Sequence, residues 1–350
     1  MDFLRNIKTK LNWGLLCSIL VGPTLFISSP DVLASNSAIV LLYHRFSNPG
    51  QSETSISKDN FSDHVKELSS GNYSVLPLAQ LIKNLDVGVS LPKRSVVVTI
   101  DDAYESFLSI AWPLLKEAGL PATLFLTTQP INSGKNGYLN WSQIRTLTQE
   151  GVSIGLKAHS QRRLATLTPQ EVTREIKTAR TLISENLGVT PIAFAFPYGL
   201  ASETAQKVVQ AEGYKAGFGQ HSGVLHRKTY RYYLPRFSFT DAYGDLDRFK
   251  TVVNAAALPV VELTPSNPLL SPDVNPPNIG FTILPKVTNL DSLACYHSKF
   301  GKIKIQRLGS SRIEIRFVEP FSKGRSRINC TIRAEGGRWR WFGMQYYLPM

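Results

Sequence analysis

Two adjacent carboxylates end an apolar run near the middle of the chain. Residues 95–104 read SVVVTIDDAY, in which Asp101 and Asp102 follow a β-branched segment. Such a run is typical of a parallel strand covered on both faces, and ligands of such sheets collect at the carboxyl ends of the strands. Because side chains alternate along a strand, the two aspartates are predicted to point in different directions and to take different roles. Alternatively, they cap a helix over 104–118.

The segments around this pair predict the scaffold that positions it. Between Ala38 and Leu258, short β-branched runs alternate with amphipathic helical patterns, which indicates parallel strands joined by crossover helices and fits one α/β barrel. The clearest helix covers 169–187, where Thr168 and Glu171 form a capping box and Gly188 follows the last turn. The strand candidates are 39–43, 96–100, 122–127, 152–156, 192–196 and 216–219.

The pattern changes after the barrel segment. Residues 259–277 contain six prolines and no helical period, which predicts a linker. Beyond it, alternation such as KIKI at 302–305 indicates half-exposed antiparallel strands. The predicted organisation is therefore a barrel over 35–258, a linker over 259–277 and a small basic β-domain over 278–350.

The first 34 residues resemble an export signal. Basic residues precede an apolar stretch over 13–27, and Val-Leu-Ala at 32–34 provides a small-residue cleavage site. After cleavage, the mature chain would begin at Ser35 and keep no stable membrane span. Its predicted location is the periplasm, the cell envelope or the extracellular space. An uncleaved anchor is the alternative. Export would place Cys295 and Cys330 where disulfides persist, and the pair is either bridged or two buried thiols.

The net charge of the chain limits the classes of binding partner to be expected. The chain contains 39 Lys and Arg against 26 Asp and Glu, a net charge of +13 with histidines neutral. This excess favours anionic neighbours. Because the signal segment directs the chain to the envelope, the prediction is an N-acetylated or anionic polysaccharide and not nucleic acid.

Four segments resemble motifs of one enzyme family. Thr99-Ile100-Asp101-Asp102 is similar to the T-F-D-D motif of the polysaccharide deacetylases of the NodB-homology type, carbohydrate esterase family four. Phe194-Ala195-Phe196-Pro197-Tyr198-Gly199 resembles the family's third motif. The segments 41–44 (LLYH) and 234–237 (LPRF) resemble two further motifs of exported members. The resemblance implies a distorted (β/α) barrel, as the periodicity independently predicts.

The resemblance also implies a reaction, the metal-assisted hydrolysis of an N-acetyl group. A divalent ion, most often zinc, lowers the pKa of a bound water, and a carboxylate that does not bind the metal takes its proton. On this reading Asp101 is the base and Asp102 is a metal ligand. The third motif implies substrate binding at Pro197 and Tyr198, where backbone N–H groups would hold the oxyanion.

Other residues are assigned by position. The family often pairs its base with an arginine in the third motif, but Ala195 stands there, so Arg236 is the predicted partner of Asp101. A surface ion pair is the alternative for Arg236. His44 is predicted to face substrate or metal, unless it is a core histidine. The general acid is predicted to be His221, with His226 as the second candidate in a loop that otherwise positions substrate.

The second motif departs from the family. Its usual form supplies two histidine ligands four residues apart, but the corresponding segment 154–161 reads IGLKAHSQ and places Lys157 and Gln161 at those positions. Neither is a usual zinc ligand, and an ammonium repels a cation. Either His159 is recruited beside Asp102, with His44 as a possible third ligand, or Lys157 takes the place of the metal.

Two functions therefore remain in competition. The first is an exported hydrolase that removes N-acetyl groups from an amino-sugar polymer. The second is a catalytically inactive glycan-binding protein on the same fold. Arg338-Trp339-Arg340-Trp341 in the β-domain either packs in the core or binds sugar rings and anionic groups.

Overall fold

The computed structural model describes residues 36–47, 53–285 and 287–350. The predicted export signal over 1–34 and its cleavage before Ser35 lie outside the described residues. No helix in the described part of the chain is long and apolar enough to cross a membrane. The helices are α1 Lys58–Leu68, α2 Leu78–Val87, α3 Trp112–Glu117, α4 Thr128–Asn132, α5 Trp141–Gln149, α6 Pro169–Leu187, α7 Glu203–Ala211 and α8 Leu246–Val253.

The first twelve strands lie in the barrel segment of the chain. They are β1 Ser37–Tyr43, β2 Arg45–Phe46, β3 Ser55–Ile56, β4 Ser74–Val75, β5 Ser95–Asp101, β6 Ala122–Thr127, β7 Ser153–Ala158, β8 Ala193–Ala195, β9 Ala216–Phe218, β10 Leu225–His226, β11 Phe237–Ser238 and β12 Ala256–Ala257. The remaining strands are β13 Val260–Thr264, β14 Ile279–Ile283, β15 Ala294–His297, β16 Gly301–Ile303, β17 Ile305–Leu308, β18 Arg312–Ile315, β19 Gly324–Arg333 and β20 Trp339–Leu348.

The barrel is a curled sheet of nine strands with helices packed against it. Its main path runs β10-β1-β5-β6-β7-β8-β9, and every pair from β1 to β9 on this path is parallel. Strand β5 is buried at all seven positions, as its unbroken apolar run predicts. The distorted (β/α) barrel is therefore confirmed, and all six strand candidates form strands at nearly the predicted bounds. Parallel pairing brings the carboxyl ends of these strands to one edge.

Helix α6 shows how local sequence sets the scaffold. Thr168 accepts a hydrogen bond from the backbone N–H of Glu171, whose side chain accepts one from the backbone N–H of Thr168, which is the predicted capping box. The helix ends at Gly188, whose φ is 67°. Glycine adopts this left-handed conformation at little cost in free energy, because it lacks a Cβ atom.

The alternative role of the two aspartates as a helix cap is wrong. Asp101 is the last residue of β5, and Asp102 and Ala103 have positive φ values of 77° and 53°. Helical structure begins at Glu105 and continues through a π-helical turn over Phe107–Ala111, while the carboxylates of Asp101 and Asp102 accept hydrogen bonds from side chains of other elements. Because Asp102 leaves the strand geometry, the alternation rule does not set the direction of its side chain.

The C-terminal β-region consists of two further sheets. One has the order β12-β20-β19-β15-β16 and the other β13-β14-β18-β17. They enclose a core of their own, which includes Phe281, Ile313 and Ile328. The predicted alternation is confirmed, since residues 302–305 alternate between exposed and half-buried positions. Strand β19 alternates in the same way from Arg325 to Arg333.

The predicted linker over 259–277 is not a free connector. Val260–Thr264 forms strand β13, which pairs with β14, and the backbone N–H of Leu270 donates to the carbonyl of Tyr347. Strand β12 at the end of the barrel segment pairs with β20. The segment contains a short 3-10 turn over Pro272–Val274 but no α-helix, and the prolines at 259 and 265 flank the paired strand without interrupting it.

A disulfide joins Cys295 and Cys330, which decides between the two predicted states of these residues. The two residues are directly opposite each other in the antiparallel pair β15 and β19. The bridge closes a segment with a sequence separation of 35 and lies in the β-region core.

We expect removal of this bridge to lower the free energy of unfolding by about 2–4 kcal/mol, because the unfolded chain gains conformational freedom. The measurement is urea unfolding of the Cys295→Ala/Cys330→Ala variant and of the parent chain, each with and without a reductant. Reductant should destabilise the parent chain and leave the variant unchanged. An unchanged midpoint for the reduced parent would contradict a stabilising bridge.

Candidate active site

The carboxyl ends of the barrel strands bring together five charged or titratable side chains. Asp101 ends β5 and Asp102 follows it, His44 follows β1, and Lys157 is the penultimate residue of β7. Arg236 directly precedes β11, which pairs in parallel with β1. All five are buried. His44, Lys157 and Arg236 lie 3.9, 3.5 and 2.8 Å from Asp101, and Lys157 also contacts Asp102. The site is therefore a buried cluster of two carboxylates, two cations and one histidine.

Asp101 is held by Arg236 through two parallel hydrogen bonds. The Nη1 and Nη2 atoms of Arg236 donate to Oδ1 and Oδ2 of Asp101 at 2.8 and 3.0 Å, and both residues are fully buried. The Nε atom of Arg236 donates to the carbonyl of Gly219 at 2.9 Å, which fixes the guanidinium plane. Burial opposes ionisation of Asp101, but the charges of Arg236 and Lys157 outweigh it and hold the pKa of Asp101 well below its usual range. The predicted pairing of Arg236 with Asp101 is present, and the pair is not on the surface.

Lys157 bridges the two carboxylates. Its Nζ atom donates to Oδ1 of Asp102 at 2.8 Å and lies 3.5 Å from Oδ2 of Asp101, and the residue is only 3% exposed. Burial favours the neutral amine, but attraction to Asp102 and Asp101 outweighs it and raises the pKa of Lys157 above its ordinary value. Lys157 is therefore an ammonium ion at neutral pH.

The rest of the Asp102 environment comes from strand β6. The Oγ1 atom of Thr127 donates to the same Oδ1 of Asp102 at 2.8 Å, and the backbone N–H of Asp102 donates to the carbonyl of Phe125. The two aspartates, predicted to point apart, thus converge on one ammonium because of the positive φ of Asp102.

Strand β7 can bring Lys157 this close only with glycine at position 155. A Cβ atom there would lie 2.4 Å from the ring of Phe125. Larger residues would therefore push β7 away from β6.

His44 lies beside the pair without joining it. Its Nε2 atom is 3.9 Å from Oδ2 of Asp101 and 3.4 Å from Nε2 of Gln220. Burial lowers the pKa of His44 to about 4, despite the attraction of Asp101. His44 is therefore neutral at pH 7 and adds no charge to the cluster.

The turn over Pro197–Gly199 follows β8, which pairs in parallel with β7, and so lies at the same edge of the sheet as the cluster. Tyr198 has a φ of 59°, a left-handed conformation that is uncommon for a bulky residue. The carbonyl of Gly199 accepts hydrogen bonds from Tyr233 Oη at 2.7 Å and from Gln345 Nε2 at 2.9 Å. The turn leaves Tyr198 39% exposed, with the guanidinium of Arg163 5.7 Å from its ring centre.

His221 and His226 are not brought to the carboxylates. His221 lines a separate cavity between the barrel and the β-region, and its carbonyl accepts a hydrogen bond from the backbone N–H of Arg236. His226 lies on β10, where its Nδ1 atom accepts a hydrogen bond from the backbone N–H of Lys228. The loop containing His221 supports Arg236 through its backbone, and its imidazole faces a different space from the one predicted for a general acid.

Comparison with known proteins identifies the domain that carries this cluster. Residues 88–217 match the family model for polysaccharide deacetylases. A poly-beta-1,6-N-acetyl-D-glucosamine N-deacetylase of Staphylococcus aureus is 24% identical over 232 residues, which cover 59% of this chain and 80% of that protein. A polysaccharide deacetylase homologue of Bacillus subtilis is 27% identical over 197 residues, 56% of this chain and 69% of the relative.

Two solved structures share the fold. The Streptococcus pyogenes deacetylase PplD superposes with a TM-score of 0.58 at 21% identity, covering 62% of this chain and 98% of that one. IcaB from Ammonifex degensii gives a TM-score of 0.55 at 21% identity, covering 63% and 97%. The chain contains a polysaccharide deacetylase domain. The family match includes Asp101, Asp102 and Lys157 but ends before Arg236.

The divalent metal that this family implies does not fit the residues of the deacetylase domain here. No group of three or more His, Cys, Asp or Glu side chains within residues 36–47, 53–285 and 287–350 could hold a metal ion. The proposed set of Asp102, His159 and His44 is thus not assembled, and the Nδ1 atom of His159 instead lies 3.0 Å from Oγ1 of Thr128. The Lys157 ammonium already supplies a positive charge at Oδ1 of Asp102.

Sequence reasoning missed the supporting residues. Thr127 had a usable signal, because it ends the strand next to β5 and parallel strand ends converge. Tyr233 and Gln345 had none, because their contact with Gly199 depends on how the β-region packs on the deacetylase domain.

We expect Arg236→Met to destabilise the fold by about 3–5 kcal/mol, because it leaves the Asp101 carboxylate buried with one fewer partner. The Asp101→Leu/Arg236→Met double variant should recover most of the loss, since it removes both charges. Because the pKa of Asp101 is lowered in the folded state, the stabilisation is present at neutral pH and declines as the pH falls below about 4. Urea unfolding at pH 7 and at lower pH measures these differences.

The matched control is Arg231→Met, which removes an arginine from an ion pair with Asp86 near the surface. A loss of at most about 1 kcal/mol is expected there. Equal losses for Arg236→Met and the double variant would show that the buried pair is not the source of the effect.

Proposed function

We propose that this chain binds an N-acetylated amino-sugar polymer at the carboxyl ends of the barrel strands and does not hydrolyse it by metal-assisted water attack. The polymer class is supported by the deacetylase domain and by the Staphylococcus aureus relatives, whose name specifies poly-beta-1,6-N-acetyl-D-glucosamine. The net charge of +13 also favours polymers that carry anionic groups.

The observation that carries the proposal is the position of Lys157. Its ammonium lies 2.8 Å from Asp102 and 3.5 Å from Asp101, between the two carboxylates that the reaction would use. An ammonium provides positive charge and hydrogen-bond donors, but it has no empty coordination position at which water or a carbonyl could bind. It therefore replaces the charge of a metal ion without replacing its chemistry.

The state of Asp101 supports the same conclusion. A general base is most effective when its pKa lies near the working pH. Both oxygens of Asp101 accept hydrogen bonds from Arg236, and the pKa of Asp101 is well below its usual range. Because the family often pairs its base with an arginine, the contact with Arg236 is itself compatible with catalysis. The additional positive charge of Lys157, 3.5 Å from Oδ2, is the feature that weakens Asp101 as a base here.

Features suited to ligand binding remain at the same edge. Tyr198 is an exposed aromatic side chain on a turn with left-handed backbone, and Arg163 lies beside it. A sugar ring has an apolar face that an aromatic ring can contact, and the guanidinium can donate hydrogen bonds to hydroxyl, carbonyl or anionic oxygens. Tyr198 is thus proposed as a substrate-contacting residue, as its motif implies.

Metal-assisted N-deacetylation is the second candidate. It is favoured by the geometry of Asp101, Asp102 and Arg236, since the base and its arginine partner remain paired. It requires Lys157 to leave both carboxylates and His159 to leave Thr128. The proposal for either function includes export to the envelope or the extracellular space through the segment 1–34, which the disulfide supports.

We expect the purified chain to bind a β-1,6-linked N-acetylglucosamine pentasaccharide with the same affinity with and without EDTA, and to release no acetate from it. Isothermal titration calorimetry measures the affinity, and an enzymatic acetate assay measures release. Tyr198→Ala should weaken binding, with Tyr296→Ala as the control because Tyr296 is similarly exposed in the β-region. Acetate release that EDTA abolishes would overturn the binding proposal and support deacetylation.

A further inference from the structure

A cavity of about 490 Å³ lies where the β-region meets the barrel. It is bounded by the segment 221–235, by the start of α7, by residues 258–268 and by the middle of β20. Its volume is within the range of small-molecule binding sites, roughly 300–1,000 Å³. None of Asp101, Asp102, Lys157 or His44 lines it, so it is separate from the carboxylate cluster.

The walls combine aromatic rings with a few polar groups. The rings belong to Tyr230, Tyr233, Phe342 and Tyr346. Tyr230 is 53% exposed at the opening, and its ring contacts that of Tyr232 edge-on. An aromatic wall with an exposed ring at its entrance suits a ligand that has an apolar face.

One polar group in the wall lacks a partner. His221 is 4% exposed, and its buried Nδ1 atom has no hydrogen-bond partner in the described part of the chain. Because this atom is shielded by the Gly219 backbone, the hydrogen bonds to a ligand must come from other side chains of the lining, such as the exposed Lys228 and Glu262. Burial lowers the pKa of His221 to about 3, which makes it a neutral side chain at pH 7.

The charges around the cavity cancel, in contrast to the basic chain. Glu203 and Lys207 form an ion pair with each other at 2.6 Å. Lys228 and Glu262 supply one further charge of each sign. The lining therefore has no net charge and favours a neutral ligand over a fatty acid, a phosphate or an anionic sugar.

Two side chains of the cavity wall hydrogen-bond the turn at the carboxyl ends of the strands, through the carbonyl of Gly199. Tyr233 and Gln345, which both line the cavity, donate hydrogen bonds to the carbonyl of Gly199. Gly199 directly follows Tyr198, the exposed ring of the turn. A Cβ atom on Gly199 would lie 2.5 Å from the backbone nitrogen of Gln220, so the turn and the segment before His221 are in close contact.

We propose that this cavity is a second sugar subsite, which binds a neutral pyranose unit of the same polymer beyond the Tyr198–Gly199 turn. A pyranose combines an apolar face for the aromatic walls with hydroxyl groups that Lys228 and Glu262 of the lining can hydrogen-bond, and an uncharged one matches the neutral lining. The inference rests on the proposed function, because it takes the polymer from there. The β-region thereby forms one wall of a glycan site and is more than an appended module.

The test fills the cavity and removes its exposed ring in separate variants. Val261 lines the cavity and is half-buried, so Val261→Trp should occupy the space, with Val318→Trp as the control because Val318 is 97% exposed and outside the cavity. Tyr230→Ala removes the ring at the opening, and Tyr296→Ala is its control. Circular dichroism and thermal unfolding verify that each variant folds like the parent chain.

We expect Val261→Trp and Tyr230→Ala each to weaken binding of the β-1,6-linked N-acetylglucosamine pentasaccharide roughly tenfold, the size of one lost aromatic contact, while both controls bind like the parent. Saturation-transfer NMR with free N-acetylglucosamine should give signals with the parent chain that Val261→Trp loses. Parent-like affinity in both cavity variants would overturn the subsite and leave the proposed function intact.

Two other outcomes distinguish the two proposals. If the pentasaccharide fails to bind the parent chain but N-acetylglucosamine signals persist and are lost in Val261→Trp, the proposed function fails and the cavity remains a sugar site. If neither sugar binds and the apolar dye 1-anilinonaphthalene-8-sulfonate fluoresces with the parent but not with Val261→Trp, the cavity takes an apolar ligand and the sugar subsite is overturned.

Discussion

The site depends on one interaction, the contact of the Lys157 ammonium with the carboxylates of Asp102 and Asp101. Two buried carboxylates at neighbouring positions repel each other and lose hydration, so the fold requires compensating positive charge nearby. Lys157 and Arg236 supply two positive charges that balance the two negative carboxylates, and Thr127 adds a hydrogen bond to Asp102. The cluster is thus neutral as a whole without a metal ion. Parallel strand ends, the glycine at position 155 and the positive φ of Asp102 all serve to bring these groups together.

The β-region also contacts the segment that orients Arg236. Arg236 is oriented by the carbonyl of Gly219, and the neighbouring segment contacts strand β20, where the backbone N–H of Val224 donates to the carbonyl of Trp341. Trp341 itself packs edge-on against Phe237 and donates to Asn329. The Arg-Trp strand therefore joins the β-region to the barrel, and Arg338 and Arg340 donate to backbone carbonyls of the barrel segment.

Local patterns in the sequence predicted the barrel and much of the site. The β-branched runs gave the strands, the capping box gave α6, and the motifs gave the Asp101–Arg236 pair and the substitution at Lys157. The sequence did not predict that His221 faces another cavity, because a loop's direction depends on contacts with β20. Nor did proline content reveal that 260–264 is a strand, because the prolines at 259 and 265 flank these five residues and leave their backbone N–H groups able to pair. Contacts between distant segments were therefore the part that local patterns could not supply.

The most direct test of this account is a calorimetric titration of zinc into the metal-stripped chain and into its Lys157→His/Gln161→His variant. If Lys157 takes the place of the metal, the parent chain shows no stoichiometric binding, and the variant binds about one zinc ion through the restored imidazoles and Asp102. One equivalent of zinc bound by the parent chain and lost in Asp102→Ala would contradict the account, since it would mean that the ammonium yields its position to a metal.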